Sequence, residues 1–297
     1  MAELHRPVLL EEVLAWLAPR AGGVYADGNL GLGGHAERIL EASAPDGRLV
    51  GFDWDGAALA LARERLTRFG GRVHFVQRNF ATIKETLAEI RVGKVDGLLL
   101  DLGLSSMQLD VSGRGFSFKG DEPLDMRMDD RGGRTAADLV NSASQDELAD
   151  IFYYYGEERQ ARPIAAQIVA ARQREVLATT AQLVKVVEAA VPRRFHPKKI
   201  HVATKVFQAL RIAVNRELEN LVRVLADGVE VLQPGGRFCV ITFHSLEDRL
   251  VKQAFNASPI LRVLTRKPIV AGSAEVAENS RARSAKLRVA EVRGEEP

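Results

Sequence analysis

Residues 25–36, Tyr25-Ala26-Asp27-Gly28-Asn29-Leu30-Gly31-Leu32-Gly33-Gly34-His35-Ala36, read as the end of a β-strand, a glycine-rich turn and the first residue of a helix. Glycines at a strand-to-helix turn let backbone amides approach a ligand closely, because no Cβ intervenes. Two ligand classes use such a turn. Gly31-Leu32-Gly33-Gly34-His35-Ala36 satisfies the GxGxxA form of the dinucleotide pattern, and Asp53 lies 20 residues beyond Gly33, where a ribose-binding acid is expected. A site for S-adenosylmethionine uses the same topology differently: an acid at the end of strand one near the cationic methionyl end, and an acid at the end of strand two for the ribose hydroxyls. Asp27 and Asp53 supply both. A carboxylate at Asp27 repels a pyrophosphate and attracts a sulfonium with its ammonium, so electrostatics favour the methyl donor. A turn without a ligand needs neither four glycines nor two strand-end acids. An NAD-dependent Rossmann oxidoreductase stays open as the alternative, whereas no GK[ST] follows to support a P-loop.

Outward from this turn, short apolar runs alternate with helical patterns. Strands are expected at Val24 to Asn29, Arg48 to Trp54, Val73 to Gln77 and Val95 to Leu102, with a clear amphipathic helix from Ala57 to Phe69. That rhythm predicts an α/β fold with a doubly wound parallel sheet. It stops after Leu102. Residues 103–134 are rich in Gly, Ser and Asp, and from Ala136 several amphipathic helices follow with no strand candidate until Arg237. The α/β pattern returns with a helix from Val202 to Ala226, the turn Gln233-Pro234-Gly235-Gly236, a strand from Arg237 to His244 and a helix from Leu246 to Asn256. Two further strands are expected at Leu261 to Arg266 and Ala285 to Val292. The expected organisation is a core from 1–109, an all-helical insertion over 110–200 that would recognise the substrate, and a second core segment over 201–297.

The chain has 297 residues, 46% of them apolar, enough for a sizeable core and two domains. Its 41 Lys and Arg against 39 Asp and Glu leave a charge of +2, so any argument for a nucleic-acid partner must be local. The single cysteine, Cys239, permits no intramolecular disulfide and no cysteine zinc site, and a reducing, cytoplasmic setting is expected. No apolar run suits a signal peptide or a membrane span.

Strand four ends in Asp101, near the switch point between strands one and four where open parallel sheets bind ligands. Ser105, Ser106, Gln108, Arg114, Phe116 and Phe118 follow on one loop, a set of hydrogen-bonding and aromatic groups suited to stacking a flipped-out base and reading its edge. Methylation at C5 of a pyrimidine needs a thiolate, but Cys239 lies mid-strand in an apolar run and reads as core. Zinc deamination lacks its Pro-Cys-x-x-Cys string. Transfer to an exocyclic amine or a ribose hydroxyl needs neither.

Taken together, these strings resemble the RsmH (MraW) family of bacterial S-adenosylmethionine-dependent methyltransferases, which act on the N4 amine of a cytosine in the 16S rRNA decoding site. The matching segments are His5 with 7–13 (PVLLEEV), Asp27-Gly28 with 31–35 (GLGGH), 96–106 (DGLLLDLGLSS), 108–110 (QLD), 114–118 (RGFSF), 123–128 (PLDMRM), 155–158 (YGEE), 207–212 (FQALRI), 243–249 (FHSLEDR) and 283–288 (RSAKLR). The resemblance implies a class I methyltransferase core with a helical insertion. It places the donor site on Gly33, Gly34 and His35, on Asp53 for the ribose, on Phe80 beside the adenine, and on Asp101 and Gln108. It departs at Asn29, at Val202 and Lys205, and at Ser280, where the family usually has Thr, Pro with Arg, and Pro. Asp101 has no following proline or aromatic residue of the Asp/Asn-Pro-Pro-aromatic kind, so its expected catalytic role at the methyl-transfer centre is read from its position.

Charge supplies the partner expectation, 16S rRNA in the small ribosomal subunit. From Ala189 to Arg216 there are seven Lys and Arg and no acid. Thr204, Gln208, Arg211 and Asn215 draw one polar stripe on the following helix, readable as a structural hydrogen-bond seam or as an RNA face. With Arg281, Arg283, Lys286 and Arg288 the basic stretch predicts a phosphate-binding rim. The substrate-binding candidates are Arg114, Lys205, Arg211, His244 and Arg283. His196, His201 and His244 show no metal-ligand spacing, and no metal is expected. A ribosome-binding protein without catalysis is the remaining alternative.

Overall fold

The computed structural model describes residues 7–104, 108, 113–118 and 120–294. They form two compact units, one from the described parts of Met1–Ser105 and Leu218–Pro297, the other from those of Ser106–Glu217.

The first unit is built on strands β1 (Val24–Asp27), β2 (Arg48–Phe52), β3 (Val73–Val76), β4 (Val95–Asp101), β5 (Leu232–Thr242), β6 (Leu261–Val263), β7 (Ile269–Val270) and β8 (Lys286–Val292). They form one sheet in the order β3-β2-β1-β4-β5-β8-β6, with β7 also on β8. The pairs among β3, β2, β1, β4 and β5 are parallel, whereas β8 runs antiparallel to β5, β6 and β7. The helices are α1 (Leu10–Leu17), α2 (Gly34–Ala42), α3 (Gly56–Leu66), α4 (Ile83–Glu89) and, after the second unit, α10 (Glu217–Val231), α11 (Ser245–Ala257) and α12 (Ser273–Glu278).

The parallel strands read as apolar runs because both sheet faces are covered. Alternate residues enter two separate cores: Ala26, Phe52, Leu98, Leu100, Phe238 and Val240 on one side, Tyr25, Leu49, Leu99, Cys239, Ile241 and Val289 on the other. Each such fully buried large side chain contributes about 1.5–3 kcal/mol relative to exposure. The turn expected at 233–236 is an irregularity within β5, whose pairing with β4 jumps from Val95↔Leu232 to Gly97↔Arg237. Gly235 takes φ +77° there, a value that glycine adopts without strain.

The second unit contains α5 (Ala136–Ser142), α6 (Gln145–Gly156), α7 (Ala161–Arg172), α8 (Thr180–Ala190) and α9 (Thr204–Asn215). Capping boxes at Thr135/Asp138 and Thr179/Gln182 start α5 and α8. Helix α6 packs on α7 and α9, and α7 on α8. This unit runs from Ser106 to Glu217, past the 110–200 span read from composition, because α9 packs on α5 and α6. The single helix expected from Val202 to Ala226 is two helices. Arg216, at φ 51°, breaks it between α9 and α10. No helix of the described residues is long and apolar enough to cross a membrane.

Candidate functional site

The sheet order puts β1 between β2 and β4, with Asp27 paired to Gly51 on one side and to Leu99 on the other. The carboxyl ends of these three strands therefore carry Asp27, Asp53 and Asp101 side by side, at the point where the chain's direction of winding reverses. The glycine turn is tied into this edge. Gly28 N–H donates to Leu99 O at 2.9 Å and Leu30 N–H to Phe52 O at 2.8 Å. Asp53 joins two segments: Oδ2 accepts from Gly31 N–H and Oδ1 from Asp55 N–H, both at 2.9 Å. Gly31 and Gly33 take φ +52° and +77°, and a Cβ on Gly34 would stand 2.5 Å from Pro7 Cγ. Phe80 is buried beside the turn, since a Cβ on Gly28 would meet its Cβ at 3.1 Å.

Electrostatics set this edge apart. Burial pushes the Asp27 carboxyl up to about 7 against the help of the Asn29 N–H, and nearby Asp53 adds to the rise. Burial likewise pushes Asp53 up to about 7, opposed by the Asp55 and Gly31 amides. Asp101 is raised well above its ordinary value by burial, then by Asp27 and Glu247. Three carboxyls thus crowd one edge, with Asp27 buried and Asp53 and Asp101 half-buried, and a cationic ligand would relieve their cost whereas a pyrophosphate would raise it. The buried Oδ1 atoms of Asn29 and Asp101 have no hydrogen-bond partner among the described residues. These orphaned acceptors and the small-residue turn fit a ligand bearing positive charge and donor groups, such as the ammonium, sulfonium and ribose hydroxyls of S-adenosylmethionine.

His35, the second residue of α2, is 6% exposed. Its Nε2 lies 2.9 Å from Val8 O, and its Nδ1 lies 3.5 Å from Asp101 Oδ2. His244 caps α11, with Glu247 closing a capping box onto the Phe243 and His244 amides. The His244 Nε2 stands 3.1 Å from Glu247 Oε1 without hydrogen-bonding geometry. The nearby Glu247 is among the groups that raise Asp101, so His244 borders the same edge.

Several basic candidates have partners within their own unit. In the first unit, Arg288 is buried and donates to Asp248 Oδ1 at 2.6 Å, while Lys286 lies 3.4 Å from Oδ2. Burial works against the Asp248 charge, but the Arg288 hydrogen bond and charge outweigh it and hold the carboxyl below its usual range. These two expected rim residues serve packing of α11 on β8. Arg283 is exposed in the turn at Ser280–Ser284.

In the second unit, Arg211 makes a bidentate pair with Glu217 at 2.7 and 2.8 Å. Asn215 holds Met126 O, Arg211 O and Met128 N–H, and Gln208 reaches Tyr155 O. The polar stripe on α9 is a hydrogen-bond seam at these positions. Lys205 donates to Glu157 O at 2.7 Å, capping α6, and Arg114 donates to the Arg127 and Met128 carbonyls. Gln108 is buried. Phe116 is buried, and Phe118 lies tilted against the His201 ring and edge-on to Phe207. Ser105 and Ser106 lie outside the described residues. By contrast, Arg193, Arg194, Lys198 and Lys199 are exposed, interleaved with exposed Phe195 and Ile200. The guanidinium of Arg194 lies 4.9 Å from the Phe195 ring centroid.

Val8 and Glu247 are the site members without an assigned role in the sequence reading. The 7–13 string carries Val8, but nothing local says that its carbonyl meets a side chain in α2.

The model of the MraW methylase family matches residues 2–293. The ribosomal RNA small subunit methyltransferase H of Desulfotalea psychrophila is 58% identical over 289 residues, covering 97% of this chain and 98% of that protein. The protein of the same name from Geotalea uraniireducens is 53% identical over 305 residues, with 97% and 98% covered. Among solved structures, a SAM-dependent O-methyltransferase from Thermotoga maritima aligns at 11% identity with a TM-score of 0.44, over 100% of this chain and 70% of that one.

Proposed function

The chain belongs to the MraW methylase family, and from that membership we propose that it methylates the exocyclic N4 amine of a cytosine in the decoding region of 16S rRNA. Its fold is the Rossmann-like one of class I methyltransferases, its cofactor is S-adenosylmethionine, and its activity is methylation of small-subunit ribosomal RNA. The cofactor supplies an electrophilic methyl group; the chain supplies orientation and charge. The observation that carries the donor reading is the trio of buried Asp27 with half-buried Asp53 and Asp101 around a glycine turn, all three carboxyls raised. That edge favours a cation and disfavours the pyrophosphate of a nicotinamide cofactor.

Asp27 and Asp53 hold the donor, with Phe80 beside its adenine and Gly33, Gly34 and His35 completing the contacts within this unit; Gln108, in the second unit, is the further donor residue that the family resemblance implies. Asp101 sits at the transfer centre, where its oxygen accepts a hydrogen bond from the amine as the nitrogen lone pair leaves ring conjugation. An amine acceptor is consistent with Cys239, the only cysteine, being wholly buried, its thiol pushed up to about 12 by burial. A thiolate attack on the pyrimidine ring has no candidate. The exposed run at 193–200 in the second unit is the phosphate-contacting stretch, and the exposed Arg283 in the first unit is a separate phosphate contact. His244 lies toward the acceptor base.

Mass spectrometry of decoding-site rRNA from cells with and without the gene tests the reading. Loss of one methyl from a single cytosine N4 is expected; an unchanged cytosine refutes it. Asp101→Asn should lower turnover about a hundredfold, and full donor affinity together with full turnover would remove Asp101 from the centre. A thermal shift with S-adenosylhomocysteine but none with NAD separates the donor reading from a dehydrogenase.

A further inference from the structure

We propose that His35 is a positioning residue that accepts, through Asp101, the proton released by the substrate amine. The proposal rests on the reading of Asp101 as the group at the transfer centre. It begins with a carbonyl. Val8 O can only accept, so His35 Nε2, at 2.9 Å, carries the hydrogen. In the neutral imidazole the lone pair then sits on Nδ1, the atom 3.5 Å from Asp101 Oδ2. A packing histidine could hold either tautomer; this one has its basic nitrogen turned to a carboxyl.

The Val8 carbonyl is itself immobilised. The Pro7 ring fills the space that a Cβ on Gly34 would need. Leu9, fully buried, is held in the left-handed region at φ 53°, and its N–H donates to Glu275 Oε1 at 2.7 Å. A non-glycine residue at such a φ carries strain that its surroundings must hold in place. Residues 7–9 therefore act as a strap that sets the tautomer.

The proton needs a destination. As the amine nitrogen forms its bond to the methyl carbon, the carbon–sulfur bond breaks with its electron pair going to sulfur, and the nitrogen is left with one surplus proton. That proton passes to the Asp101 carboxylate and from there to Nδ1 of His35. The resulting imidazolium keeps its Nε2–H on Val8 O. Asp27 from the end of β1 and Glu247 from α11, both carboxyls, act on Asp101 and favour positive charge beside it.

Nitrogen NMR of the ¹⁵N-histidine-labelled full chain reads the tautomer directly, with S-adenosylhomocysteine as the added probe. His35 should show a protonated Nε2 and an unprotonated Nδ1 near neutral pH without the probe. An Nδ1–H tautomer, or an imidazolium in the ligand-free protein there, overturns the proposal, and this readout needs no variant to fold. In single-turnover assays at saturating donor, His35→Phe should slow methyl transfer about tenfold or more. The acidic limb of its pH–rate profile should also move to lower pH, because Asp101 has lost the acceptor that favoured its protonated form. A limb that stays put, or moves to higher pH, means that His35 only packed or donated, and overturns the relay. If the unsubstituted chain binds no S-adenosylhomocysteine, the donor reading itself falls; if it binds while the tautomer or the limb is wrong, that reading stands and the relay alone falls.

Discussion

The acids at the strand ends make the ligand-free protein sensitive to pH. Asp27 and Asp53 have folded-state values of about 7, above the ordinary carboxyl range. A raised acid binds more protons folded than unfolded, so its contribution to stability is complete below about pH 4 and is lost as pH rises toward 7. Thermal melts without ligand should therefore show that loss between about pH 4 and 7, and Asp27→Asn should flatten it. A cationic donor favours the ionised carboxyls, so S-adenosylmethionine should bind more tightly as pH rises through the same window. Titration calorimetry near pH 6.5 in two buffers of different ionisation enthalpy should then register proton release; equal heats would mean that the carboxyls are already ionised. Cys239 follows the same logic. Its buried thiol, pushed up to about 12, should resist iodoacetamide in the folded chain and react only after denaturation.

At the level of elements, the start of α2 and the α9 seam carry different duties. Gly33 takes φ +77°, and a Cβ there would stand 3.2 Å from Leu66 Cδ1. Gly33→Ala should cost about 1–2 kcal/mol of stability in chemical denaturation and weaken donor binding, because the turn moves with it. Asn215 holds three backbone groups of the 126–128 loop and of α9 in a buried setting. Asn215→Ala should cost about 2–3 kcal/mol, since those groups lose their partner out of reach of water. The exposed cations of 193–200 should behave the other way round. Alanine at Arg193, Arg194, Lys198 and Lys199 should leave the unfolding midpoint nearly unchanged, yet lower the salt dependence of RNA binding by about 0.7–0.9 in the log–log slope per lost phosphate contact. An unchanged slope would move the RNA surface elsewhere.

Over the whole molecule, the sequence carries what is local or periodic. The apolar runs at 24–29, 48–54, 73–77 and 95–102, each followed by a turn or helix start, are sufficient for a parallel sheet, and the observed strands fall inside them. Asp27, Asp53 and Asp101 are legible as neighbouring strand-end acids because parallel topology brings strand ends together whatever the side-chain packing. The length of a helix was less legible: nothing in the composition of 202–226 marks Arg216 as the left-handed residue that divides it. Charge was least legible of all. Arg193 and Arg211 read alike in a string, but one lies exposed and the other pairs with Glu217. Arg288 reads as a rim cation and is buried on Asp248. The sequence by itself therefore determined the strand pattern of the core and the acids at its strand ends. Only the tertiary structure decided which cations have internal partners and which nitrogen of His35 faces Asp101. Strand formation follows from patterns a few residues long, whereas ion pairs and tautomers are set by partners that folding brings in from far along the chain.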